Sequence, residues 1–155
     1  MDQLFFEQKY QLYSEMLYKI AFVYFGNSSD AEEMVQETFI KLCYHAPKFE
    51  NSAHEKAWLI RVISNLCKNQ LKTAWKKQVE TREDMSEYLQ DSRDSELLEL
   101  VIALPTKLKA PIYLYYYEGY SVLEISNILK LSQSAVKMRL KRARQKLKLE
   151  LEKPQ

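Results

Sequence analysis

Glycine is almost missing from this chain. There are two in 155 residues, Gly26 and Gly119, and each follows an apolar helical stretch, where a helix-ending residue belongs. Neither sits in a phosphate-cradling loop, which excludes Walker-type and dinucleotide-binding fingerprints. Cysteine is as sparse. Cys43 and Cys67 stand alone with no Cys-x-x-Cys, so the sequence encodes neither a zinc ribbon nor a dithiol redox site. Both fall among apolar residues at helical spacing and read as small core side chains. His45 and His54 form no His-Glu-x-x-His, and no nucleophile elbow is present. No catalytic centre, metal site or cofactor is therefore expected. No apolar run approaches about 18 residues and no signal peptide is visible, so the expected location is the cytoplasm, without membrane insertion.

Net charge is small, and the charges are strongly segregated. The net value is +2. Residues 1–55 hold four Lys/Arg against nine Asp/Glu, and residues 56–77 hold six Lys/Arg with no acid. Residues 78–99 hold two against eight, and residues 130–148 hold eight with no acid. Two basic blocks bordered by acid point to two polyanion-facing surfaces on a chain that stays soluble. The length allows one domain or two small ones.

The apolar pattern is helical nearly throughout. Tyr13, Leu17, Ile20 and Tyr24 recur at i, i+4, i+7, i+11, and Gly26 closes that helix. Ser29 with Glu32, Ser52 with Glu55, and Ser121 with Glu124 have the spacing of capping boxes and are expected to open three further helices. Residues 78–94 are acidic, polar and weakly periodic, and read as a linker. Helical pattern resumes at Ser95 and breaks at Pro105, and Pro111 is placed to open the next helix. The run Ile112–Tyr117 has the composition of a strand, but no partner strand exists and helices flank it; helix is the expectation. The fold class expected is all-α: two small helical domains, residues 1–77 and 95–155, joined by the acidic linker 78–94.

The C-terminal basic block carries the most specific pattern. A short capped helix, a three-residue turn and a second helix with Ser132 as its N-cap make a helix-turn-helix. On the second helix Val136, Leu140, Ala143 and Leu147 form one stripe. Ser134, Met138, Lys141, Arg142 and Gln145 face the other way, flanked by Lys137, Arg139, Arg144 and Lys146. Such a face releases counterions from phosphate. Gln133, Ser134 and Lys137 lie in the first turns, where a recognition helix reaches base edges.

The central basic block differs. Leu59, Ile60, Val62, Ile63, Leu66 and Cys67 make a broad apolar face. Arg61, Asn65, Lys68 and Lys72 line the opposite side, with Trp58 at the border and Asn69 beside it. Cations mixed with amides and an aromatic suit a single strand, whose bases stack and hydrogen-bond. The polar loop 49–56 before it, with Asn51, Ser52 and His54, could line a pocket for an unstacked base. A core tryptophan and a solvated amide are the plainer readings of Trp58 and Asn65. A third helix carries Asp30, Glu33, Glu37 and Lys41 at i, i+3, i+7, i+11 with Gln36 nearby. Such an acidic face is either merely solvated or binds protein, since it repels phosphate.

Three strings in this order, 30–42 (DAEEMVQETFIKL), 57–71 (AWLIRVISNLCKNQL) and 117–147 (YEGYSVLEISNIL to VKMRLKRARQKL), resemble a bacterial extracytoplasmic-function RNA polymerase sigma factor. The resemblance covers residues from about 10 to 75 and 96 to 148. It implies that Asp30, Glu33, Gln36 and Glu37 dock on core RNA polymerase. It implies that Asn51, Ser52, His54, Trp58, Arg61, Asn65, Lys68, Asn69 and Lys72 hold and melt the −10 promoter element, with Asn65 at a flipped-out base. Ser132, Gln133, Ser134, Lys137, Arg139, Lys141 and Arg142 would bind the −35 element as duplex. Core polymerase, promoter DNA in both forms and an anti-sigma factor are the implied partners. Departures from the family are Lys130 where glycine is usual in the turn, Met138 for a serine, and Lys109 for an arginine. The competing reading is a helix-turn-helix repressor or activator that never engages polymerase and has no use for the acidic helix. A purely structural interaction protein would leave both basic stripes unexplained.

Overall fold

The computed structural model describes residues 2–74 and 92–152. The chain divides into two compact units, Met1–Arg82 and Glu83–Gln155. Every regular element among the described residues is an α-helix, as the periodicity predicts. Most of the expected linker, residues 78–91, lies outside the described residues, and 92–94 are already helical.

The first unit contains α1 (Gln3–Phe25), α2 (Ser28–His45) and α3 (Ser52–Ala74). Asp2 caps α1 by accepting from the Phe5 N–H at 2.8 Å. Gly26 ends it at φ 77° and donates its N–H to the Phe22 carbonyl. That left-handed conformation costs glycine nothing and lets α2 fold straight back. The N-cap of α2 is Asn27, whose side chain accepts from Asp30 N–H at 2.9 Å, and not Ser29 as the spacing suggested. Asn27, Ser28, Ser29 and Asp30 can all cap, and the tight reversal after Gly26 selects the first. The core joins Leu17, Ile20 and Tyr24 of α1, Ala31, Met34, Val35, Thr38, Phe39 and Leu42 of α2, and Leu59, Ile60, Ile63 and Cys67 of α3. Phe6 and Tyr10 close its end by meeting Phe39 at 5.8 Å and 4.9 Å between ring centroids.

The second unit contains α4 (Ser92–Ile102), α5 (Thr106–Tyr116), α6 (Val122–Leu129) and α7 (Gln133–Leu151). The helix expected from Ser95 begins at Ser92. Pro105, not Pro111, stands at the start of α5, and Pro111 lies buried inside it. A proline there leaves one carbonyl of the preceding turn without its helical N–H, a cost that packing of the buried ring offsets. Ile112–Tyr116 is helical, and Tyr117 caps α5. Ser121 and Glu124 form the expected capping box, with bonds of 3.1 and 2.9 Å. Leu98, Val101, Leu108, Ile112, Leu114, Ile125, Ile128, Val136, Leu140 and Ala143 make the core.

Candidate nucleic-acid interface

α6 and α7 are joined by Lys130, Leu131 and Ser132. Lys130 adopts φ 59°, ψ 46°, and it is the one non-glycine residue at positive φ among the described residues. Lys130 and Leu131 N–H groups both reach the Ser126 carbonyl, which closes α6. The turn thus has the geometry that glycine serves, reached here by lysine at a strain cost of about 1–2 kcal/mol. Ser132 Oγ then accepts from Ala135 N–H at 3.0 Å and opens α7. This bond sets where α7 begins and uses one lone pair of the exposed Ser132 hydroxyl, whose O–H remains a donor.

From that start, the sequence fixes the faces of α7. Val136, Leu140 and Ala143 are buried and Leu147 is half-buried. Gln133, Ser134, Lys137, Met138, Lys141, Arg142, Gln145 and Lys146 are exposed, and Arg139 is half-buried. Arg144 differs from its neighbours, for its Nη1 donates to the Tyr116 hydroxyl at 3.2 Å and ties α7 to the end of α5. The result is a helix with cations, Gln133, Ser134 and Gln145 toward solvent and no acid before Glu150.

α3 presents the second face. Asn65, Asn69 and Lys72 are exposed; Arg61, Lys68 and Trp58 are half-buried. Leu59, Ile60, Ile63 and Cys67 are buried on the other side, while Val62 and Leu66 are half-buried. Ser64 is buried as well, and its hydroxyl meets no hydrogen-bond partner. The loop before α3 is folded on itself. Phe49 meets His54 at 5.3 Å and Trp58 at 5.5 Å, both edge-on. Glu50 N–H donates to His54 Nδ1 at 3.1 Å, which leaves Nε2 as the outward edge of that imidazole. Asn51 Oδ1 accepts from His54 N–H at 2.8 Å and is the cap of α3, in place of Ser52. Ser52 is exposed. The Asn51 Oδ1 thus helps to shape the loop.

The expected capping partner Glu55 turns elsewhere. Its carboxylate is buried and accepts from Lys9 Nζ at 2.7 Å and from the Tyr13 hydroxyl at 2.8 Å. Local spacing suggested a capping box and missed this cluster, whose members lie more than 40 residues apart in sequence. On α2, Glu33, Gln36 and Glu37 are exposed. Asp30 is half-buried, and its carboxylate accepts from Asn27 Nδ2 at 3.0 Å, which commits part of it to the helix start. Gln36 also lines an open cleft of about 350 Å³ between α1 and α2, with Tyr10, Glu15, Tyr18 and Glu32. Among the described residues no cluster of His, Cys, Asp or Glu could hold a metal ion. No helix there is long and apolar enough to cross a membrane.

A capped helix-turn-helix with a cationic outer face, preceded on the same chain by a three-helix unit with its own basic stripe, is the build of a DNA-binding protein with two basic faces. The family comparisons make the class specific. Residues 10–77 match the family model for Sigma-70 region 2, and residues 94–147 match that for Sigma-70, region 4. RNA polymerase sigma factor SigV of Bacillus subtilis is 30% identical, with 88% of this chain and 84% of that protein aligned. ECF RNA polymerase sigma factor SigW of the same organism is 28% identical over 97% of this chain and 90% of its own. Two solved structures share the fold. The sigma factor RpoE of Bartonella quintana, bound to the anti-sigma factor NepR, has a TM-score of 0.75 at 23% identity, covering 96% of this chain and 98% of its own. CnrH, bound to the cytosolic domain of CnrY, has a TM-score of 0.73 at 24% identity, covering 97% and 89%. The chain belongs to the extracytoplasmic-function RNA polymerase sigma factors, and its function is that of a polymerase-associated initiation factor.

Proposed function

We propose that the two basic faces divide promoter recognition between them. Residues 1–77 dock on core RNA polymerase and hold the −10 element as single strand. Residues 95–155 read the −35 element as duplex. The observation that carries this reading is the difference between the two exposed faces: α7 carries seven Lys/Arg and no aromatic residue, whereas α3 carries four Lys/Arg and follows a loop packed by Phe49, His54 and Trp58. A duplex presents phosphates and base edges to a helix in its major groove. An unpaired strand needs stacking and amide contacts as well as charge.

Within the second unit, Gln133, Ser134 and Lys137 approach base edges. Arg139, Lys141 and Arg142 neutralise phosphates, and Ser132 sets the helix start. Met138 is 47% exposed on the same face and offers apolar surface of the kind that fits a thymine methyl. Within the first unit, Asn65 hydrogen-bonds a flipped-out base while Ser52, His54 and Trp58 shape its pocket around the Asn51 cap. Arg61, Lys68, Asn69 and Lys72 follow the strand. Glu33, Gln36 and Glu37, with Asp30 at the helix start, face polymerase. The chain supplies no bond-making step; phosphodiester chemistry is core polymerase's. It acts in the cytoplasm, and an anti-sigma factor, such as the one bound to the sigma factor RpoE of Bartonella quintana, is a further partner.

Run-off transcription with purified core polymerase tests the reading. A promoter-specific transcript from at least one genomic fragment is expected. Tight operator binding with no such transcript, and no capture of core polymerase, would favour the helix-turn-helix regulator instead.

A further inference from the structure

We propose that the Lys9–Glu55–Tyr13 cluster is the positioning device of the −10-reading loop. The inference rests on the single-strand role given above to the first unit and concerns how its loop is held. Among residues 51–58 Glu55 alone is buried. The apolar anchoring of α3 begins only at Leu59. The first turn of the helix, and the loop folded against it, would therefore be free to swing about that anchor. Glu55 removes this freedom. One carboxylate oxygen takes Lys9 Nζ at 2.7 Å and the Tyr13 hydroxyl at 2.8 Å. Both donors come from α1, one turn apart, so two bonds to one point fix the position of the first turn of α3 along that helix. Phe5, one turn earlier, completes the row, with Lys9 Nζ 4.9 Å from its ring centroid.

The cluster is an odd choice for stability alone. Burying a carboxylate against a half-buried ammonium costs desolvation, and an apolar pair of similar volume holds two helices at least as well. What the ionic cluster provides is a single allowed register, because any shift strands a buried charge. The loop it carries is already rigid within itself, through the Phe49, His54 and Trp58 rings, the Glu50–His54 bond and the Asn51 cap. A rigid loop on a fixed first turn moves as one body with α1, and α1 packs on the proposed docking helix α2 in the same core. Glu55 thus places the base pocket in the frame of the polymerase-docking helices. It is a positioning residue; it has no need to touch DNA.

The test uses holoenzyme reconstituted from the full chain and core polymerase. Its probe is the promoter recovered by run-off transcription, compared with the same DNA substituted at the −10 bases. Unpaired thymines are read by permanganate. Glu55→Gln keeps the volume and one hydrogen bond but removes the charge. It is expected to lower the ratio of opening on native over substituted DNA by about tenfold, within the range one mispaired position is worth. Tyr13→Phe, which keeps the ion pair, is expected to lower it by about two- to threefold. Core-polymerase affinity and −35 duplex affinity stay unchanged for both. A merely structural role would reduce opening on both templates alike and leave the ratio intact. An unchanged ratio for Glu55→Gln, with a reduced ratio for Asn65→Ala, overturns the positioning role while the single-strand reading stands. Unchanged ratios for both variants overturn that reading and the proposal with it.

Discussion

α7 carries seven Lys/Arg and α3 four, and the two helices are also supported differently. α7 needs little beyond its own cap at Ser132, its buried stripe and one hydrogen bond from Arg144 to Tyr116. α3 is preceded by a loop held by three aromatic rings, a backbone bond to His54 and an asparagine cap, and is tied to α1 by a buried carboxylate. The difference follows from the targets proposed for them. Duplex DNA has a regular shape, so a charged rod of the right diameter can seat itself in the groove. A single strand has no shape of its own, so the protein must supply one.

The comparison can be broken most forcefully at the core of α7. Leu140 is 2% exposed and packs α7 onto its unit. Leu140→Ala is expected to destabilise the second unit by about 2–5 kcal/mol and to abolish −35 duplex binding, with single-strand binding retained. Thermal unfolding by circular dichroism and oligonucleotide binding measure both. Loss of single-strand binding to the same degree would show that the two faces are not separately supported.

A smaller effect sharpens it. Gly26 and Lys130 both end a helix in the left-handed conformation, one without strain and one with it. Lys130→Gly is expected to stabilise the second unit by about 0.5–1 kcal/mol, since relief of the side-chain strain slightly exceeds the added entropy of an unfolded glycine. A rise in the urea midpoint checks this. A fall would mean that the Lys130 side chain contributes more than its backbone costs.

Helix periodicity made the faces of α2, α3 and α7 readable, because each of these helices is amphipathic over several turns. Val136, Leu140 and Ala143 are buried and Asn65 and Asn69 exposed, as the wheel requires. The Ser121 and Ser132 caps were readable too, since each stands next to the first residue of an amphipathic run. Ser29, Ser52 and Pro111 misled for a common reason. Each has a near neighbour able to do the same work, Asn27, Asn51 and Pro105, and the choice between them is made by chain reversal and packing that local sequence does not record. Glu55 misled more deeply. A glutamate three residues after a serine at a helix start is a capping signal locally, and only the approach of Lys9 and Tyr13 from α1 redirects it. Of the proposed polymerase-facing residues, the reading could not foresee that Asp30 is partly committed to Asn27.

The division of labour is tested most directly by comparing two variants of one holoenzyme. Asn65→Ala is predicted to leave −35 duplex affinity and its salt dependence unchanged while lowering promoter opening by about tenfold or more. Lys137→Ala is predicted to weaken duplex affinity, to reduce the slope of log affinity against log salt by about one if the lysine meets a phosphate, and to spare opening once the complex has formed. If both variants lose duplex binding and opening by the same factors, the two basic faces act as one surface and the account is contradicted.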